Sequence, residues 1–225
     1  MTLSLCSLRD RLEQVVSRCG RNPDSIRIVA VSKGHAPAVL RQVFTEGQTV
    51  FGENYLQEAL PKMAALAELP IEWHFIGHLQ SNKAAAVARE FSWIHSIASL
   101  PMAERISAAA NVAGRKLSVL LQVNLGGAPA QHGVSPAALL TLVDTLLEAT
   151  LPHLEYRGLM TIAPRDNAAA SFARLRRLGE EVRNRFGLPT FTELSMGMSD
   201  DWETAVSEGA TLLRLGRVLL GPRAR

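Results

Sequence analysis

Hydrophobic and polar positions along the chain change their period repeatedly. Leu5, Leu8, Leu12, Val15 and Val16 recur at helical spacing, so the chain is expected to open with an amphipathic helix. A short, largely β-branched run follows, Ile28, Val29, Ala30 and Val31, which reads as a buried strand. Such runs then alternate with helical patterns. Strands are predicted at Ile26–Lys33, Thr49–Glu53, Glu72–Gly77, Trp93–Ile97, Ser118–Asn124, Tyr156–Ile162, Thr192–Met196 and Leu212–Gly216. Helices are predicted near 37–46, 55–68, 80–90, 101–113, 136–149, 168–186 and 201–208.

Alternation of this kind implies a parallel sheet. Eight strands in 225 residues favour a closed barrel over an open sheet. After the last strand, "LGRVLLGPRAR" leaves little for an eighth helix, and the opening helix is available to cover that gap. The expected fold is α/β, a single TIM-type (β/α)8 barrel over residues 1–225 with an extra N-terminal helix.

Composition changes this picture little. A hydrophobic share of 47% and a charged share of 20% suit a globular chain with an ample core. The net charge of +3 is mild, and Arg174, Arg176 and Arg177 fit a solvated helix face better than a polyanion site. Nucleic acid is therefore not an expected partner. Cys6 and Cys19 lie in the first helical segment, roughly 20 Å apart along the axis, too far to bridge. The opening "MTLSLCSLRDRLEQ" lacks a basic start and a long apolar stretch, and no run is long enough to span a bilayer. The cytoplasm is the expected compartment.

Active sites of such barrels gather at the C-terminal strand ends, often with phosphate beyond strands seven and eight. Here those ends are polar. Strand one closes on Lys33, whose ammonium would either snorkel to water or, desolvated, serve as an amine nucleophile. Strand two runs into Asn54. Strands seven and eight run into "ELSMGMSDDW" and "LLRLGRVLLG". Ser195, Gly197 and Ser199 offer hydroxyls and open backbone, and Gly216 lets amides approach an anion. Asp200, Asp201 and Glu203 fit a helix's first turn instead and would repel phosphate there, which places an anion nearer Ser195 and the Gly216–Arg217 amides. His74 and His78 sit where a strand enters a loop, without the glutamate of a helical zinc motif. His95 is expected in a strand-end hydrogen-bond network. No serine occupies a nucleophile elbow.

The stretches "AVSK", "FGENYLQE", "WHFIGHLQSNK", "GLMTIAP" and "LSMGMSDDWETAVSEGATLLRLGR" occur in this order and together resemble the pyridoxal phosphate homeostasis protein family. The resemblance runs from about Ile28 to Gly221. It implies a barrel similar to the N-terminal domain of alanine racemase that binds pyridoxal 5′-phosphate and buffers or delivers it, without substantial catalysis. Carried over by motif, Lys33 would form a Schiff base with the cofactor. Ser195, Ser199, Gly216 and Arg217 would hold its phosphate, the last two through backbone N–H. Arg214 would face the pyridine nitrogen and Asn54 would line the ring, with Gly197 and Met198 in the same turn as the serines. The chain departs from the family pattern at Ala98 after "HS" and in the loop "GGAPAQHGV" around His132. Cofactor-dependent apoenzymes are the implied partners, with no membrane, and the state is expected to be a monomer or weak dimer. The alternative is a small amino-acid racemase or other Schiff-base enzyme.

Overall fold

The structure, a computed structural model, describes residues 4–126 and 132–222. Eight parallel strands close into a barrel in chain order: β1 (Arg27–Val31), β2 (Val50–Glu53), β3 (Glu72–Phe75), β4 (Trp93–Ile97), β5 (Leu117–Gln122), β6 (Leu154–Met160), β7 (Glu193–Ser195) and β8 (Leu212–Leu215). Closure is made by β8 against β1, in a register that sets Ile28 beside Leu213 and Val29 beside Arg214. The helices are α1 (Leu5–Arg18), α2 (Pro37–Thr45), α3 (Leu56–Ala65), α4 (Ala84–Glu90), α5 (Leu100–Val112), α6 (Leu139–Glu148), α7 (Ala168–Phe186), α8 (Trp202–Ser207) and the single turn α9 (Arg217–Leu220).

Side chains alternate across each strand, and this makes two cores. Val29, Trp93, Leu120, Met160 and Leu212 fill the barrel's inside. Ile28, Ala30, Phe51, Ile94, Val119 and Leu213 face outward into the larger core beneath the helices. Above the inner apolar layer the interior becomes polar, and that change of chemistry positions the site.

The expected use of α1 is what the structure shows. Ser4 caps it, its hydroxyl accepting from the Ser7 N–H at 3.2 Å. Arg9 donates to the Gly47 carbonyl past α2, Arg11 pairs with Glu203 of α8, and Arg21 donates to the Val206 and Ala210 carbonyls at 2.8 Å each. The helix thus spans from α2 to α8, where α9 is too short to reach.

Some boundaries differ from expectation. β1 ends at Val31, two residues early, because the chain turns at Lys33: the His35 N–H donates back to the Ser32 carbonyl and Gly34 takes φ +76°. β6 starts at Leu154 because the Leu117 and Leu154 pairing extends the ladder with β5. The helix expected over 80–90 begins as a 3₁₀ turn at Ser81–Lys83. On α7, Arg176 lies within 3.6 Å of both Glu180 and Glu208, in keeping with a solvated, neutralised face. Cys6 and Cys19 are exposed free thiols. Among the described residues, no helix is long and apolar enough to cross a membrane.

Candidate functional site

The C-terminal strand ends bring Lys33, Asn54, the turn after β7 and the start of α9 to one mouth of the barrel. Lys33 is half-buried in the turn that follows β1. That turn is held from below by charge. Ser32, fully buried, donates its hydroxyl to Glu53 Oε1 at 2.7 Å. Lys62, buried on α3, donates to the Ser32 carbonyl, to Glu53 and to Glu58, each at 2.7 Å. Glu58 also accepts from the Gly34 N–H. Burial pushes the Glu53 carboxyl up, and the Lys62 and Ser32 hydrogen bonds pull it back.

Asn54 follows β2, with its Oδ1 buried and without a hydrogen-bond partner. Beside it opens a recess of about 240 Å³ lined by Asn54, Tyr55, Gly77, His78 and Lys83. His78 stacks on His132 with ring centroids 3.6 Å apart, joining the loops after β3 and β5 across the mouth. Residues 127–131 of the second loop lie outside the described residues.

On the far side, Ser199 Oγ accepts from the Val218 N–H at 3.3 Å, which leaves its hydroxyl hydrogen to donate elsewhere. The Arg217 amide ahead of it is one that a helix's first turn leaves without an intrahelical acceptor. A side chain at Gly216 would bring its Cβ to 3.3 Å from the Val31 carbonyl, so the backbone itself lines this edge. The Arg217 side chain pairs with Asp200, and the Met198 N–H donates to Asp201 Oδ1 at 2.6 Å. The acidic residues of this segment are therefore spent on the turn.

Arg214 occupies the barrel interior beneath the mouth, 5% exposed. Nη1 donates to Ser195 Oγ at 2.7 Å and Nη2 to the Thr161 carbonyl at 2.8 Å. Desolvation lowers its pKa to about 10, so it remains a cation at neutral pH. Ser195 is fully buried, and its hydroxyl also meets His95 Nδ1 at 2.9 Å. Its two hydrogen bonds tie it to the interior, below Ser199 and the α9 amides. Sequence reasoning placed His95 in a strand-end network but missed His74, which bonds His95 at 2.9 Å. It also missed the Lys62 cluster. A histidine two residues into a strand beginning "EW" is a weak sign of an inward polar position, and a lysine on a helical pattern gives none.

This closed barrel belongs to a class described as "Alanine racemase, N-terminal domain", whose family model matches residues 3–224. The chain is 42% identical to the Pyridoxal phosphate homeostasis protein of Pseudomonas aeruginosa, covering 98% of this chain and 94% of that one. It is 37% identical to the protein of that name from Escherichia coli K12, covering 98% and 95%. Among solved structures it is similar to PipY of Synechococcus elongatus with PLP bound, at TM-score 0.83 and 41% identity over 93% of this chain and 99% of that one. Alanine racemase of Clostridium difficile shares the fold at TM-score 0.70 and 16% identity, covering 96% of this chain and 57% of that one. The chain belongs to the pyridoxal phosphate homeostasis protein family.

Proposed function

We propose that this chain binds pyridoxal 5′-phosphate at the C-terminal mouth of the barrel, stores it and gives it up to apoenzymes, with little chemistry of its own. The observation that carries the reading is the convergence of Lys33, Asn54, Arg214 and the Ser199–Gly216 edge on one mouth. The residues fit the group. Asn54 brings a buried carbonyl oxygen that lacks a donor, and Ser199, which accepts from the Val218 N–H, brings a hydroxyl hydrogen beside the Arg217 amide of a helix's first turn.

When bound, pyridoxal phosphate supplies an aldehyde that condenses with an amine and a ring that draws electrons once its nitrogen is protonated. Lys33 offers the amine for a Schiff base. Its turn is fixed by the bonds Lys62 and Glu58 make to the backbone on either side. Ser199 and the Gly216 and Arg217 amides hold the phosphate, in the turn that also contains Gly197 and Met198. Ser195 serves this site through Arg214, whose guanidinium it anchors. Arg214 donates hydrogen bonds but does not give up its proton, so it would keep a ring nitrogen facing it unprotonated and the ring a weak electron sink. That argues for a carrier over a racemase.

The test is reduction of the cofactor-loaded protein with borohydride, followed by peptide mapping. The label is expected on Lys33, and Lys33→Ala is expected to bind without a covalent link. Label on Lys83 or Lys116 overturns the assignment of Lys33. Robust racemisation of amino acids by wild type, lost in Lys33→Ala, overturns the carrier.

A further inference from the structure

Arg214 does not stand alone. A chain of hydrogen bonds runs from it down the inside of the barrel to the opposite face. Arg214 Nη1 meets Ser195 Oγ at 2.7 Å, and Ser195 Oγ meets His95 Nδ1 at 2.9 Å. His95 Nε2 meets His74 Nδ1 at 2.9 Å, and His74 Nε2 meets Glu72 Oε1 at 2.7 Å. Ser195, His95 and His74 are all fully buried, whereas Glu72, the first residue of β3, is partly open to solvent and close to Arg27. Four strands, β3, β4, β7 and β8, contribute.

The Glu72 end fixes every hydrogen of the chain once both rings are neutral. A guanidinium only donates, so Ser195 Oγ accepts from Arg214. A carboxylate only accepts, so His74 donates from Nε2 to Glu72. Neutral His74 then has a bare Nδ1, which takes the hydrogen on His95 Nε2. Neutral His95 in turn has a bare Nδ1, which takes the hydroxyl hydrogen of Ser195. Burial disfavours the charged form of both rings, in agreement with this single arrangement. The opposite direction would set the bare Nε2 of a neutral His74 against the Glu72 carboxylate, acceptor against acceptor.

We infer that Glu72, His74, His95 and Ser195 are positioning residues: they form a one-way hydrogen-bond chain that fixes Arg214 toward the ligand from the far side of the barrel. The destination of the chain rests on the pyridoxal phosphate reading of the site. Its direction does not, since it follows from the protein's own side chains. Removing the acceptor at Glu72 leaves His74 Nε2–H without a partner. Both rings are then free to shift their hydrogens from Nε2 to Nδ1. In that state His95 donates to Ser195, and the Ser195 hydroxyl hydrogen turns away.

The measurement is nitrogen-15 NMR of the two rings in ligand-free protein, joined to titration with pyridoxal phosphate. Wild type is expected to hold both rings as neutral Nε2–H tautomers at pH 7. Glu72→Leu is expected to move His95 to Nδ1–H, to shift the absorption of bound pyridoxal phosphate and to weaken its affinity about tenfold, the effect of one hydrogen bond. Glu72→Gln keeps a carbonyl acceptor and is expected to restore the wild-type tautomers and affinity. Imidazolium or Nδ1–H at His95 in wild type overturns the chain, and that reading needs no variant to fold. A folded Glu72→Leu with tautomers, absorption and affinity all as in wild type overturns it as well. Wild-type tautomers in a protein that takes up no pyridoxal phosphate overturn the site reading and leave the chain's direction standing.

Discussion

Lys62 lies inside the protein, at 5% exposure, on a helix whose other lysine-like positions would face water. Three oxygens surround its ammonium, from Ser32, Glu53 and Glu58. Glu53 is itself fully buried and one of its oxygens has no partner, so it depends on Lys62 for its charge. Breaking one half of such a pair leaves an uncompensated buried charge, at a cost of about 3–5 kcal/mol. Lys62→Met is accordingly expected to lose that much stability in urea unfolding, and to loosen the Lys33 turn. Adding Glu53→Gln is expected to recover much of the loss, because no carboxylate is then left unpaired. A loss in the single variant below about 1 kcal/mol would show the cluster to be dispensable. Lys33 was legible in the sequence and Lys62 was not, for a physical reason. Lys33 ends a run of buried strand residues, where any charge stands out, whereas Lys62 sits in a helix where lysines ordinarily face solvent. Its burial is set by Glu53, nine positions away on another element.

At the scale of elements, the turn between β7 and α8 joins fold to site. Gly197 takes φ +91°, and a Cβ there would come within 2.6 Å of Ala205 Cβ and 3.0 Å of a Leu213 methyl. Its carbonyl accepts from the Arg214 N–H at 3.0 Å, so a displaced Gly197 moves the arginine as well. Gly187, which ends α7, offers the contrast: φ is +62°, and nothing lies within 4 Å of its Cβ direction. Gly187→Ala meets only the left-handed backbone cost, about 1–2 kcal/mol. Gly197→Ala adds overpacking worth about 1–3 kcal/mol on top. Urea unfolding is expected to rank the two in that order, with weaker pyridoxal phosphate binding only for Gly197→Ala. Equal loss in both would mean that the turn yields without strain. The sequence carried Gly197 as a turn residue. Its contacts with Ala205 and Leu213 depend on how α8 packs against β8, which no local pattern contains. The same holds for α1: its apolar stripe was plain, whereas its polar anchors, Arg9 to the Gly47 carbonyl and Arg11 to Glu203, were not legible.

The whole barrel carries a cost in acid that comes from its polar interior. His74 and His95 are held neutral by burial, with their pKa values lowered from the ordinary 6.5, His95 the more strongly. Desolvation is the largest effect on both rings: at His74 the Glu72 and Glu193 carboxylates favour a charged ring and Arg27 opposes it, and at His95 the neighbouring His74, Arg214 and Arg27 all oppose it. The unfolded chain takes up a proton on each histidine as pH falls through 6.5, and the folded barrel does not. Stability therefore rises with pH below 6.5, and is lost on acidification by up to about 1.4 kcal/mol per pH unit for each ring. Glu72 adds to the loss lower down, because its hydrogen bond from His74 holds its carboxyl below the usual 4.5. Glu53 acts in the opposite sense, since its raised pKa lets the folded state bind a proton first. Between pH 7 and 5 the histidines dominate, and the free energy of unfolding in urea is expected to fall, by at most about 1.4 kcal/mol per pH unit for each ring. His95→Gln, if folded, is expected to lose about half of that slope. Stability that stays level from pH 7 to 5 would require the two rings to titrate inside the barrel as they do in water, which their burial and the Arg214 cation beside His95 oppose.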